Sequence, residues 1–125
     1  MHAPDEDVAR SLLARAEEDI ALVRTSVNLH QISDAIVAFH AQQAAEKLLK
    51  AALARRRIEY PFTHDLQRLV DLLGESPPDE EAVVALTPWA VEFRYGEVPD
   101  EAFDRQGAVA LLERLRDSCH TSLNG

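Results

Sequence analysis

Apolar residues recur every three or four positions along almost the whole chain, and nowhere do they alternate for long. That period belongs to a helix with one buried stripe, whereas a half-buried strand needs a period of two. Val8, Leu12, Ala16, Ile20, Val23 and Val27 step by four, four, four, three and four. With Pro4 and Asp5 as a start signal, they predict a first helix from Asp5 to Asn28. After the turn "LHQIS", a second helix is expected from Ser33 to Arg57.

Pro61 breaks that pattern, and Thr63 is placed to cap a short third helix, "HDLQRLVDLL". The loop "GESPPD" follows, and Asp79 is placed to cap a fourth helix through Val83, Leu86, Ala90 and Phe93. Pro88 is expected to kink or divide it. Beyond "RYGEVPD", Asp100 is placed to cap a last helix with Ala108, Leu112, Leu115 and Cys119 on one face and Asn124-Gly125 as its stop. The sum is an all-α, antiparallel up-and-down bundle of four to five helices, in one domain over residues 1–125.

The second helix carries an unusual stripe, "FHAQQAAEKLLKAAL" from Phe39 to Leu53. At about 100° per residue, Val37, Ala41, Ala44, Ala45, Leu48 and Ala52 share one arc. His40, Gln42, Gln43, Glu46, Lys47 and Lys50 share the opposite arc, interrupted by Ile36 and Phe39. Glu46 and Lys50 are four apart and so able to pair along the helix. The stripe reads either as a second, wetter contact surface or as a solvated face. Phe39, Trp89, Phe93 and Phe103 read as core aromatics, with an interface as the other option.

Composition narrows the function. A formal net charge of −9 argues against a general nucleic-acid coat, which needs positive charge against phosphate. The charge is uneven, because "EKLLKAALARRR" gathers Lys47, Lys50, Arg55, Arg56 and Arg57 against Glu46 alone. Such a cluster can meet a phosphate, or simply offset a helix C-terminus. One cysteine excludes an internal disulfide and a cysteine-built zinc site. No apolar run approaches a membrane span, and the acidic start "MHAPDEDVAR" has no secretory pattern, so a soluble cytoplasmic protein is expected.

Phosphate loops, nucleophile elbows and paired metal-binding histidines are absent from the sequence. "PFTHDL" puts His64 and Asp65 in the expected first turn of the third helix, where free N–H groups can meet an anion. His64 there is either a donor and proton carrier or a packing residue. "RLRDSCH" brings Arg114 and His120 onto one helix. Arginine can hold a phosphate while histidine moves a proton, which suffices for RNA cleavage without metal.

Three of these pieces together resemble one family. "FHAQQAAEKLLKAAL" resembles the Q-x-A-x-E-K-x-x-K helix signature of HEPN domains, through Gln43 (or Gln42), Ala44, Glu46, Lys47 and Lys50. "PFTHDL" resembles the P-x-T-H-D-L segment that follows it, and Arg94-Tyr95 resembles the later R-Y-P loop, with Gly96 where proline is usual. Order and distances agree, so the resemblance spans nearly the whole chain.

The resemblance implies a compact helical bundle, commonly a homodimer, with a link to nucleotides or RNA. Members of this size are often paired with a small nucleotidyltransferase in toxin–antitoxin-like couples. Many are metal-independent ribonucleases with an R-x(4–6)-H motif, a spacing that Arg114 and His120 satisfy. Leu115 stands where a polar residue usually follows the arginine, and Thr121 and Ser122 stand where one toxin branch carries a tyrosine. The leading expectation is therefore an accessory protein that binds a nucleotide or RNA and partners a nucleotidyltransferase. Gln43, Glu46, Lys47, Lys50, His64, Asp65, Arg94 and Tyr95 are its candidate binding residues. The alternatives are a ribonuclease toxin acting through Arg114 and His120, and a non-catalytic dimeric interaction module. None of these readings needs a cofactor or a metal.

Overall fold

The computed structural model describes the backbone of residues 3–94 and 103–124, with side chains over 6–90 and 103–119. The chain is an all-α bundle of six helical segments among these residues: α1 Ala3–Ser26, α2 Asp34–Arg55, α3 Leu66–Leu73, α4 Glu80–Val84, α5 Thr87–Arg94 and α6 Arg105–Asn124. The expected fourth helix is divided, as Pro88 suggested. The break falls at Ala85–Leu86, and Pro88 sits in the first turn of α5, where a missing N–H leaves no helical bond unmade.

α1 and α2 form an antiparallel pair. Their ends are tied by a Glu6–Arg55 contact of 3.6 Å, and their middles by Asp19 with His40 and Lys47. α6 runs antiparallel to α1, with Glu17 opposite Arg116 and the Ser26 carbonyl opposite Arg105. It therefore lies alongside α2 in the same direction. α2 is the central element and packs against α1, α3, α5 and α6. Its burial extends past the predicted apolar arc to Ala38, Leu49, Ala51, Leu53 and Ala54, and even Gln42 and Glu46 are buried. The alanines let the neighbouring helices approach closely.

The predicted α6 stripe of Ala108, Leu112, Leu115 and Cys119 is buried, and so are Ala16, Ile20 and Val23 in the middle of the α1 stripe, with Leu12 and Val27 half-buried on either side. Val8, by contrast, lies 44% exposed at the start of the α1 stripe. Trp89 is buried and meets the half-buried Phe103 edge to face at 5.5 Å, while Phe39 is half-buried against His40. Phe93 and Asp100 lie outside the described side chains.

Ser33 caps α2, its hydroxyl accepting from the Ile36 N–H. At the far end the helix stops through backbone geometry. Arg57 takes a left-handed conformation (φ 58°), and the Ile58 N–H closes onto the Leu53 carbonyl. This turn sends the chain back along α2, so that His64 meets Gln42 and Glu46. α3 then starts at Leu66 rather than His64. Its N-cap is Asp65, whose carboxylate accepts from Gln67 N–H at 3.0 Å, and the Thr63 hydroxyl accepts from Asp65 N–H instead of capping the helix. His64 and Asp65 thus precede the helix, which corrects their expected place in its first turn. The Leu66 N–H goes to the Thr87 hydroxyl, at the start of α5.

The Asp65 cap makes a direct prediction. Asp65→Ala lowers stability by about 1 kcal/mol, and Asp65→Asn restores it; thermal unfolding checks both.

Candidate functional site

The polar arc of α2 divides into two groups, according to what each edge meets. Residues 42 and 46 lie on the edge facing the returning segment, and residues 40 and 47 on the edge facing α1. Gln43 and Lys50 lie between.

On the first edge, Glu46 is the hub. One carboxylate oxygen accepts from Gln42 Nε2 at 3.2 Å and pairs with His64 Nδ1 at 2.7 Å. The other accepts from Lys50 Nζ at 2.9 Å. Gln42 Nε2 also donates to the His64 carbonyl at 3.0 Å, and Gln43 donates to Gln42 Oε1 at 2.8 Å. Lys50 Nζ lies 5.7 Å from the centre of the Tyr60 ring. Burial of Glu46 works to raise its pKa, but the hydrogen bonds from Lys50, His64 and Gln42 together outweigh it. The carboxyl group is held below its ordinary value of 4.5. It is an ionised carboxylate at neutral pH.

On the second edge, Asp19 of α1 plays the same part. It pairs with His40 Nδ1 at 3.0 Å and accepts from Lys47 Nζ at 2.6 Å. The two hubs match: a buried carboxylate, a lysine and an imidazole held through Nδ1. A carboxylate on Nδ1 fixes the ring and leaves Nε2 as the nitrogen for a substrate or solvent. The imidazoles keep 31% and 34% of their side-chain surface in water, against 11% for Asp19 and 8% for Glu46. The carboxylates are thus internal supports, and the lysines and histidines are what the face offers outward.

Of the residues singled out from the sequence, Gln43, Glu46, Lys50 and His64 come together. Lys47 turns to Asp19 instead, so the polar stripe of α2 is two adjoining groups. Asp65 is exposed and occupied as a helix cap. Arg94 ends α5; its side chain and Tyr95 lie outside the described residues. Arg114 projects from α6 and donates to the Asp79 carboxylate at 2.6 Å. Asp79, left-handed at φ 57°, makes no side-chain cap on α4. His120 belongs to α6, with its side chain outside the described set. Among the described residues no three or more His, Cys, Asp or Glu side chains cluster as metal ligands. No described helix is long and apolar enough to cross a membrane.

Three participants were not among the candidate binding residues: His40 and Gln42, read only as part of the polar arc with Gln42 as the alternative to Gln43, and Asp19. Gln42 is fully buried and bridges Glu46 to the returning segment. Asp19 was readable in principle: it lies three residues after Ala16 and four before Val23, so a carboxylate stands on the buried stripe of α1. A charge in that position calls for a partner.

Among curated proteins and among solved structures nothing matches this chain. A family model does: that of the HEPN domain, over residues 9–121. It takes in α2, the returning segment and most of α6, and with nearly the full length matched, the chain belongs to the HEPN domain family.

Proposed function

We propose that the outer face of α2, with His64, binds the phosphate of a nucleotide or RNA. We further propose that the protein is the accessory partner of a small nucleotidyltransferase in a toxin–antitoxin-like pair, working as a cytoplasmic homodimer. Family membership supports a nucleotide- or RNA-related role, and HEPN domains commonly dimerise. The observation that carries the binding reading is the pair of carboxylate-anchored hubs, each presenting a lysine and an imidazole.

An ammonium group has three donors. Lys47 and Lys50 each give one to a carboxylate, which fixes the chain and leaves two for a ligand.

Two substitutions test this. Lys47→Ala with Lys50→Ala weakens nucleotide binding by about tenfold or more, the scale of one or two lost charge-assisted bonds. Unchanged affinity in the double variant defeats the reading. A neighbouring nucleotidyltransferase that co-purifies with the protein supports the partnership, and the absence of any complex between the two purified proteins counts against it.

A ribonuclease reading draws on one observation: the exposed Arg114 guanidinium already holds an oxyanion, the Asp79 carboxylate. On that reading, total RNA is cleaved in EDTA to cyclic-phosphate ends by the wild type and not by Arg114→Ala or His120→Ala. Equal cleavage by all three removes α6 from the chemistry.

A further inference from the structure

Away from the polar face, a cleft of about 180 Å³ opens between α2, the α3–α4 loop and α6. Leu49, Ala52, Leu115 and Cys119 line it, and Arg56, Glu75, Ser76 and Ser118 bring polar groups to it. An apolar cavity of about 150 Å³ is large enough to hold benzene, so this cleft accepts one ring or a short branched chain. The Cys119 thiol donates to the Leu48 carbonyl, and burial pushes its pKa up to about 11. At neutral pH it is an uncharged wall and not a nucleophile.

Arg56 is the only cation among the described residues that line it. Its Nη1 donates to the Leu73 carbonyl at 3.5 Å, which orients the guanidinium, and its Nη2 pairs with Glu75. Glu75 is 59% exposed, and an exposed pair of this kind is weak. A ligand carboxylate can take the place of Glu75 on the guanidinium fork while its body fills the apolar part of the cleft. A dianion finds no second cation among the described lining residues, and a neutral molecule leaves the Glu75 pair intact and gains nothing from Arg56.

We infer that this cleft is a binding site for a small apolar monocarboxylate, with Arg56 receiving the carboxylate and Leu49, Leu115 and Cys119 receiving the hydrocarbon. The site is separate from the α2 polar face and stands or falls independently of phosphate binding there.

Benzoate is a suitable probe, with benzyl alcohol as its neutral counterpart. Titrated into the full chain, benzoate gives saturable amide-shift changes at Leu49, Leu115 and Cys119. Glu75→Gln removes the competing carboxylate and tightens benzoate; Arg56→Met weakens it by about tenfold. The Glu75 variant changes only an exposed side chain and keeps the test valid if Arg56→Met folds poorly. Equal affinity for benzyl alcohol, no change in Glu75→Gln, or no saturable shifts at Leu49, Leu115 and Cys119 up to about 20 mM benzoate each overturns the assignment.

Discussion

Arg105→Ala is expected to lower folding stability by about 3–5 kcal/mol, the largest loss of any single substitution considered for this fold. The guanidinium is 13% exposed and its donors are nearly all used. Nε donates to Asp34 at 2.9 Å, Nη1 to the carbonyls of Ser26 at 2.6 Å and Leu29 at 3.1 Å, and Nη2 to that of Ile32. One side chain at the start of α6 thus joins the carbonyls at the end of α1 and in the turn after it, two of which also accept a backbone N–H, and pins the first residue of α2. Asp34 is held a second time by the Phe103 N–H. Removing the guanidinium breaks four charge-assisted bonds, takes the side-chain donor from the Ile32 carbonyl and leaves Asp34 without its cation. A loss of this size lowers the melting temperature by roughly 10–20 °C. Arg105→Lys recovers less than half, because a single ammonium cannot reach carbonyls spread around a planar fork. A loss below about 1 kcal/mol in Arg105→Ala contradicts the role assigned to it.

The second large effect belongs to Glu46. Glu46→Ala leaves Gln42, Lys50 and His64 facing a gap where the carboxylate stood, and costs about 3 kcal/mol. Glu46→Gln keeps the shape and loses only the charge, so it costs less. Since the folded-state pKa of Glu46 is lowered, its contribution is fully present above the unfolded-state value near 4.5. It is lost as pH falls through the folded-state value. Wild-type stability therefore drops on acidification below about pH 4.5. The slope is shallower in Glu46→Gln, and urea unfolding at pH 7, 5, 4 and 3 measures the difference. Identical slopes in the two proteins contradict an ionised, hydrogen-bonded Glu46.

The helices were legible in the sequence because their stripes are long and regular. Six residues in step on α1 and four on α6 leave little room for another reading. Features set by distant residues were harder to see. Thr63 and Asp65 are both good caps by local rules. The helix begins at Leu66, where the first N–H finds the Thr87 hydroxyl, 21 residues further on. Likewise the polar stripe of α2 looked like one arc, since a helical wheel shows angles and not neighbours. Asp19 draws Lys47 and His40 to one side, and the returning segment brings His64 to the other. Arg105 carried no local signal at all, because its partners lie more than seventy residues upstream.

The same division explains the chemistry of the candidate face. Local pattern supplies the lysines and glutamines, and tertiary structure supplies the carboxylates that hold them. A solvated stripe would leave Lys47 and Lys50 mobile. Here each is anchored at 2.6–2.9 Å and retains 23% and 13% of its side-chain surface in water. Anchoring lowers the entropy lost on binding an anion, since the side chains are already ordered.

The most direct test is an amide-shift titration with a mixed-sequence six-nucleotide RNA at pH 6.5. Phosphate binding at the α2 face predicts saturable changes centred on His40, Gln43, Lys47, Lys50 and His64. Changes centred on α6 around Arg114, or none at this face under saturating RNA, contradict it.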